Sequence, residues 1–405
     1  MNGPGHNKVV SLAFQCLPRR KAAIWEPLQA HAAETCMLPD QHAIDLLEGR
    51  GGPWRRYYPQ AKPINNFLVP GRDLRRLLPP TRFYARRVIA NLRKGDLPEA
   101  GRFAGVFSHY LADFAQPAHY YELDVPRLLP APRNMANCNL HRMIEDIEST
   151  VERISYRARL LGASLAEFVF RFEGRLAKLH EMAVAAIVPM LTQIYRRRND
   201  RAAKVFDGIV AETARVFADF CYSACALAAG DLPNRVTAPL ASCDLREIAP
   251  HAFDVEYNHG YRPLVDAITV GNYERAQPLR LLVRRRGRAA AEVVTGICVI
   301  PHALPVGGAT APAMLEYRLP AGTFRRFEAS VGLLAAVERQ AKCRFEVVAD
   351  GRCVYRSGFL TAKDAARPVR VDVGGVRRLR LLARSDGSTD KLAYAIWAAP
   401  RLHKE

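Results

Sequence analysis

The sequence predicts a multidomain α plus β chain: an all-helical N-terminal domain followed by an antiparallel β-sandwich. Three observations predict it. Residues 75–120 and 139–230 are rich in Ala and long side chains and poor in Gly, with apolar residues recurring at three- and four-residue spacing through Leu160, Leu165, Phe168, Phe172, Leu176 and Leu179. Residues 231–260 are broken by Pro and polar residues. Beyond them the pattern changes to short β-rich runs bounded by Gly, Pro and Asp.

The elements follow in order. Val9–Leu17 is a short apolar stretch followed by Pro18-Arg19-Arg20-Lys21, too short to span a membrane and with a poor cleavage signature for a leader. Residues 1–24 are thus set apart as a segment of unassigned role, and the helical domain is drawn over 25–232. Gly230-Asp-Leu-Pro233 stops its last helix. A linker over 233–259 leads to a sandwich over 260–405. Strands are expected over Arg280–Arg284, Glu292–Ile300, Phe324–Gly332, Arg344–Val348, Val354–Ser357, Val369–Val373 and Leu379–Ala383. Asp350-Gly351 between two such runs is a two-residue hairpin signal.

Length and composition fit a globular protein of two or three domains, with 49% apolar residues. The net charge is +19, carried by arginine, since only ten residues are lysine. Arginine forks suit phosphate, an anionic lipid surface or nucleic acid, although an arginine-rich composition alone produces the same excess. Nine cysteines without regular spacing argue against a disulfide framework and favour a reducing, cytoplasmic setting. No Gly-rich phosphate loop or Gly-x-Ser-x-Gly elbow occurs.

The densest chemistry lies in His109-Tyr-Leu-Ala-Asp113-Phe-Ala-Gln-Pro117-Ala-His119. His109 and Asp113 are four apart, so a helix stacks them on one face. Pro117 ends that helix and can swing His119 towards them. His141 and Glu145 repeat the spacing. Imidazole and carboxylate in such density point to one or more divalent metals.

The pattern His-Tyr-x-x-Asp-x-x-Gln-Pro-x-His, then His-x-x-x-Glu, resembles the zinc-dependent phospholipase C family, whose helical fold the fungal-type single-strand nucleases share. The resemblance implies one to three zinc ions, with His109 and Asp113 serving one pair of metals and His119, His141 and Glu145 holding another zinc. It also implies metal-activated hydrolysis of a phospholipid or other phosphodiester. Trp25 and His31 resemble the family's N-terminal Trp and following ligand His. Two expected ligands are missing from their places: Tyr57-Tyr58-Pro59-Gln60 stands where Tyr-x-Pro-Asp is expected, and Asn65-Asn66 where a His-containing stretch is expected. A metal-stabilised scaffold without turnover, or a nuclease, are the other readings.

Arg326-Phe-Glu-Ala-Ser-Val-Gly332, Phe345-Glu-Val-Val-Ala-Asp-Gly351, Tyr355-Arg-Ser-Gly358 and Val369-Arg-Val-Asp-Val-Gly-Gly375 resemble the carbohydrate-binding module called NPCBM, over about 260–402. This implies a glycan partner. Ala395-Ile396-Trp397 replaces the acids that usually close that module, and Trp397 reads either as core or as a sugar-stacking platform.

Overall fold

The computed structural model describes residues 3–19, 22–42, 52–58, 80–119, 140–230, 232–248, 250–254, 267–269, 276–285, 288–301, 305–306, 309–310, 312–337, 339–388 and 392–405. They form two compact units, Met1–Thr237 and Ala238–Glu405. Gln60 and Asn65-Asn66 lie outside the described residues.

The first unit is helical: α1 (Gly3–Gln15), α2 (Ala22–Thr35), the single turn α3 (Leu38–Gln41), α4 (Thr81–Arg93), α5 (Leu97–Phe114), the short α6 (Leu140–Glu145), and the two long helices α7 (Leu165–Tyr195) and α8 (Asn199–Ala229). Within the segment 1–24 left without a role, α1 is part of the helical core. Val9, Val10, Leu12, Ala13 and Phe14 of α1 are buried in the same core as the rest, and α1 packs on α8. The core is joined by aromatic contacts, with Phe107 of α5 4.3 Å from Phe220 of α8, and Phe168 and Phe172 of α7 each 5.6 Å from Phe220.

Local chemistry sets the helix ends. The Asp96 carboxylate accepts from Glu99 N at the start of α5. Ser164 and Glu167 form a reciprocal cap on α7, with Glu167 N bonded to Ser164 Oγ and Ala163 N to Glu167 Oε2. Gly230 ends α8 in the left-handed conformation, φ 73°. Helix α5 is the central element, buried over most of its length. Its Gly101 and Gly105 let α2 approach closely: a Cβ at Gly105 would stand 2.2 Å from Thr35 Oγ1 and 2.3 Å from Ala32 O.

One stretch expected to be helical is not. Residues 148–162 run without regular structure as a strap across α8. Polar anchors on α8 hold it. Asp207 accepts from Ser149 Oγ and from Thr150 N and Oγ1. Asp219 accepts from Tyr156 OH and Arg159 N, and Ser223 Oγ accepts from Leu161 N. The backbone groups find α8 side chains in place of a helical ladder, so Leu160 serves tertiary contact in the strap, while Leu165 to Leu179 lie on α7 as the spacing predicts.

The second unit is an antiparallel β-sandwich. Ten strands build its two sheets: β1 (Ser242–Asp244), β2 (Ala252–Asp254), β3 (Gly296–Val299), β4 (Ala313–Arg318), β5 (Arg326–Leu333), β6 (Cys343–Ala349), β7 (Arg352–Arg356), β8 (Arg367–Asp372), β9 (Arg378–Ser385) and β10 (Ala395–His403). One sheet runs β1-β10-β5-β8, with β3 also paired to β10; the other runs β7-β6-β9-β4-β2. Alternation along β5 and β8 buries Phe327, Val331, Val369 and Val371. Further hairpins pair 267–269 with 276–278, 280–285 with 288–293 and 305–306 with 309–310.

The hairpin signal is realised, since Asp350 and Gly351 both have positive φ, 47° and 90°, in the turn between β6 and β7. Part of the stretch expected to be a linker belongs to the sheets: β1 pairs with β10 and β2 with β4. Three-residue strands are too short to show alternation, which is why the sequence pattern hid them. Trp397 on β10 is fully buried, its ring 5.4 Å from Phe345 of the opposite sheet and 6.3 Å from Phe327 of its own. It is core, not a sugar platform.

Candidate metal centre

His109 lies in the last turns of α5, and its ring is fixed by Cys36, whose backbone carbonyl accepts from Nδ1 at 2.8 Å. The close approach of α2 at Gly105 puts that carbonyl there. Nε2 is thereby aimed at two carboxylates, Asp113 Oδ2 at 3.2 Å and Asp40 Oδ1 at 3.4 Å. An imidazole held on one nitrogen by a carbonyl, with the other facing acids, is how metal-ligating histidines are oriented.

The helix ends at Ala115, and Pro117–His119 forms a 3₁₀ turn. That turn brings His119 Nδ1 to 4.0 Å from Asp113 Oδ1, and its Nε2 to 2.9 Å from Glu145 Oε1 at the end of α6. The structure therefore gathers His109, Asp113, His119 and Glu145, with Asp113 between two groups of donors. His141 lies on α6, and its side chain is outside the described ones.

Two residues join them that the sequence did not single out. His6 on α1 is 1% exposed, lies flat on His109 with ring centroids 4.2 Å apart and planes 5° from parallel, and has Nε2 3.4 Å from Asp113 Oδ1. Neither of its ring nitrogens makes a hydrogen bond. Asp40 comes from Leu38-Pro39-Asp40. One ligand atom each from His6, Asp40 and His109 lie within 4.8 Å of one another. Both had a signal in the sequence. His6 is in phase with the apolar stripe of Val9, Val10 and Ala13, so it faces inward. Asp40 follows a Pro, as the acid sought at position 60 would have.

Trp25 and His31 are the correction. Trp25 lies within α2, and its indole Nε1 donates to Pro18 O at 3.0 Å. His31 Nδ1 faces Glu34 Oε2 at 2.9 Å on its own helix. Neither enters the group around Asp113. The first helix, not the second, supplies the additional imidazole.

Electrostatics sharpen the picture. Burial, helped by neighbouring His109, lowers the pKa of His6 to about 4, so its ring is neutral. Burial also disfavours charge on His109, but Asp113 and Asp40 outweigh it and raise its pKa to about 9. Asp113 is held well below the usual carboxylate range, because His109 and His119 overcome its burial. Asp113, 15% exposed, is thus an ionised carboxylate set between imidazoles, a donor type suited to a divalent cation. The group passes from buried His6 and His109 to Asp40, 56% exposed, and Glu145, 28% exposed, so its open side carries acids.

Behind the centre, Tyr58, Tyr84 and Tyr110 are buried, and burial raises all three hydroxyl pKa values. Among the described residues no helix is long and apolar enough to cross a membrane.

Residues 307–403 match the NPCBM/NEW2 domain family. The match falls wholly within the sandwich, on strands β4 to β10. No curated protein matches the chain. Similar solved structures include the M60 catalytic domain with CBM51-1 and CBM51-2 from Clostridium perfringens ZmpB (20% identity, 40% of this chain and 15% of that one, TM-score 0.30). They also include CBM51 from C. perfringens GH95 in complex with methyl-galactose (21% identity, 40% and 99%, TM-score 0.31). A third is the tandem CBM51 modules of Sp3GH98 from Streptococcus pneumoniae SP3-BS71 (17% identity, 41% and 48%, TM-score 0.34). The chain thus spans under a sixth of the first of these and half or less of the third.

Proposed function

We propose that the helical unit is a zinc-dependent phosphodiesterase acting on a phospholipid or related phosphodiester, and that the NPCBM/NEW2 unit holds the protein to glycan. The observation that carries the first half is the parallel pair His6 and His109, set against Asp40 and Asp113. Two imidazoles stacked this closely cannot both be charged at modest cost, and His6 is buried without a hydrogen bond. A divalent cation answers both facts. Nitrogen and carboxylate donors fit zinc.

His6, Asp40, His109 and Asp113 would hold one ion. His119, Glu145 and His141 would hold another, with Asp113 shared. Zinc bound there supplies Lewis acidity towards a phosphoryl oxygen and a water. The chain does the rest. The Cys36 carbonyl fixes the His109 tautomer, burial keeps His6 neutral, and Asp113 stays ionised between the two donor groups. Asp40 and Glu145 mark the side from which a substrate enters.

The test is elemental analysis of protein expressed with ample zinc, together with hydrolysis of bis(p-nitrophenyl) phosphate and phosphatidylcholine before and after chelation. Two zinc ions per chain and chelator-sensitive hydrolysis are expected. Absence of any transition metal sinks the reading. A second reading, a metal-stabilised glycan-binding protein without turnover, is favoured by the family match falling in the sandwich alone. It predicts one zinc and no hydrolysis. Cleavage of single-stranded DNA in preference to lipid would make the enzyme a nuclease.

A further inference from the structure

The outer face of the second sheet carries a charge pattern that phosphodiester chemistry does not use. Two carboxylates sit in it, Glu346 on β6 and Glu316 on β4, with side chains only 5% and 7% exposed. Three guanidinium groups from three strands converge on Glu346: Arg356 Nε of β7 at 3.1 Å, Arg344 Nε of β6 at 3.2 Å and Arg384 Nε of β9 at 3.5 Å. Arg380 Nε and Arg378 Nε, both of β9, lie 2.7 and 3.7 Å from Glu316. Arg318 of β4 stands directly opposite Arg378 in the ladder. With Arg377, Asp350 and Gly351, these two line a cavity of about 400 Å³.

Six arginines thus share one face with two carboxylates, and both are engaged; Asp350 at the cavity's edge is taken up by the backbone N–H groups of Arg377 and Arg378. Like charges opposite one another on neighbouring strands are unfavourable, and Arg378 meets Glu316 only at 3.7 Å, so an anion bound between Arg318 and Arg378 would relieve the pair. The first sheet is different. There Arg326 and Arg370 meet Glu328 at 2.7 and 3.4 Å, and Arg401 meets Asp244 at 4.0 Å. An arginine-rich composition alone would load both faces alike.

We propose that this face binds an acidic polysaccharide, whose carboxylate or sulfate groups lie along the row from Arg356 to Arg318. The row crosses four adjacent strands, β7-β6-β9-β4, or about 15 Å at the usual strand spacing. One sugar does not reach that far, and a polymer with acidic groups along its length does. Guanidinium forks match carboxylate and sulfate oxygens. At the Arg344 end, Phe359 is 45% exposed, with the Arg344 guanidinium 5.3 Å from its ring centre, and gives a sugar ring an apolar face to rest on. Single-stranded nucleic acid is bound on successive aromatic platforms, and among the described residues of this face Phe359 stands alone.

The inference rests on the sugar-binding reading of the NPCBM/NEW2 unit. Its test is titration of the full chain with polygalacturonate, heparin, neutral galactan and oligo(dT) at two salt concentrations. Binding to polygalacturonate or heparin that weakens with salt is expected, and the stronger of the two tells carboxylate from sulfate. The double variant Arg318→Gln/Arg378→Gln should weaken it about tenfold or more, as loss of a charge-assisted hydrogen bond does. Arg326→Gln/Arg370→Gln on the other sheet should not. Should the first variant melt early, the single exposed change Arg356→Gln on β7 serves in its place. Galactan bound as well as the acidic polymers, with neither variant affected, overturns the inference and leaves glycan binding standing. No binding to any polysaccharide overturns both. Preference for oligo(dT) overturns the inference in favour of nucleic acid.

Discussion

His6 and His31 stand on consecutive helices and differ in what they face. His6 is sealed against His109, and His31 shares its ring nitrogen with Glu34. His6→Ala should therefore weaken zinc binding at least about tenfold, the usual scale for loss of a ligand or its support, while His31→Ala should leave it unchanged. Competition with a chromophoric chelator reads both. Equal losses, or none in His6→Ala, would remove His6 from the site. Asp113→Asn keeps the shape and removes the charge shared by both donor groups. Hydrolysis should fall by orders of magnitude with only a small change in melting temperature, and unchanged hydrolysis would rule out a metal role. These residues show what could be read from the chain. The His109-to-His119 run declared itself because its members are neighbours in sequence. His6 and Asp40 did not, because their proximity to His109 exists only once α1, α2 and α5 have packed.

At the scale of elements, the α2–α5 contact is what aims His109. Gly105→Ala would push a methyl into Thr35 Oγ1 and the Ala32 carbonyl. Overpacking of this kind costs about 1–3 kcal/mol, and here it also displaces the Cys36 carbonyl. Denaturant melts and zinc affinity should fall together, whereas the same change at Gly208, exposed inside α8 with nothing within 4 Å, should leave zinc affinity alone and raise stability by about 0.5–1 kcal/mol. The strap makes a separate prediction. Burial pushes the Asp207 pKa up, but hydrogen bonds from Thr150 and Ser149 outweigh it and lower the value. A lowered carboxylate pKa adds stability above the unfolded value of about 4 and loses it as pH falls through the folded one. Asp207→Asn should flatten the acid limb of melting temperature against pH, and an unaltered limb would show that the strap is held elsewhere. Helix boundaries at Asp96, Ser164 and Gly230 were legible because caps are local. The strap was not, since its partners are on α8, about 60 residues away.

Across the whole molecule, the helical half and the sandwich are separate compact units. A fragment of residues 1–237 should keep its zinc and any hydrolysis of a soluble diester, and residues 238–405 should fold without metal. Loss of both properties from a soluble, helical 1–237 fragment would mean that the sandwich completes the site. The sandwich was legible in outline because β5 and β8 alternate and Asp350-Gly351 turns the chain, while β1 and β2 were too short to signal themselves. The position of His6 has a kinetic consequence. Its partner His109 is about a hundred residues further along, so an ion gripping both closes a loop of that length. In the chain-entropy account a cross-link spanning such a loop is worth about 4–5 kcal/mol. Without the ion, α1 is held to the rest mainly by its apolar face, and its amides should exchange with deuterium before those of the longer helices α7 and α8. Added zinc should close that difference, turning the first helix from a latch that opens by itself into one that opens only when the metal leaves.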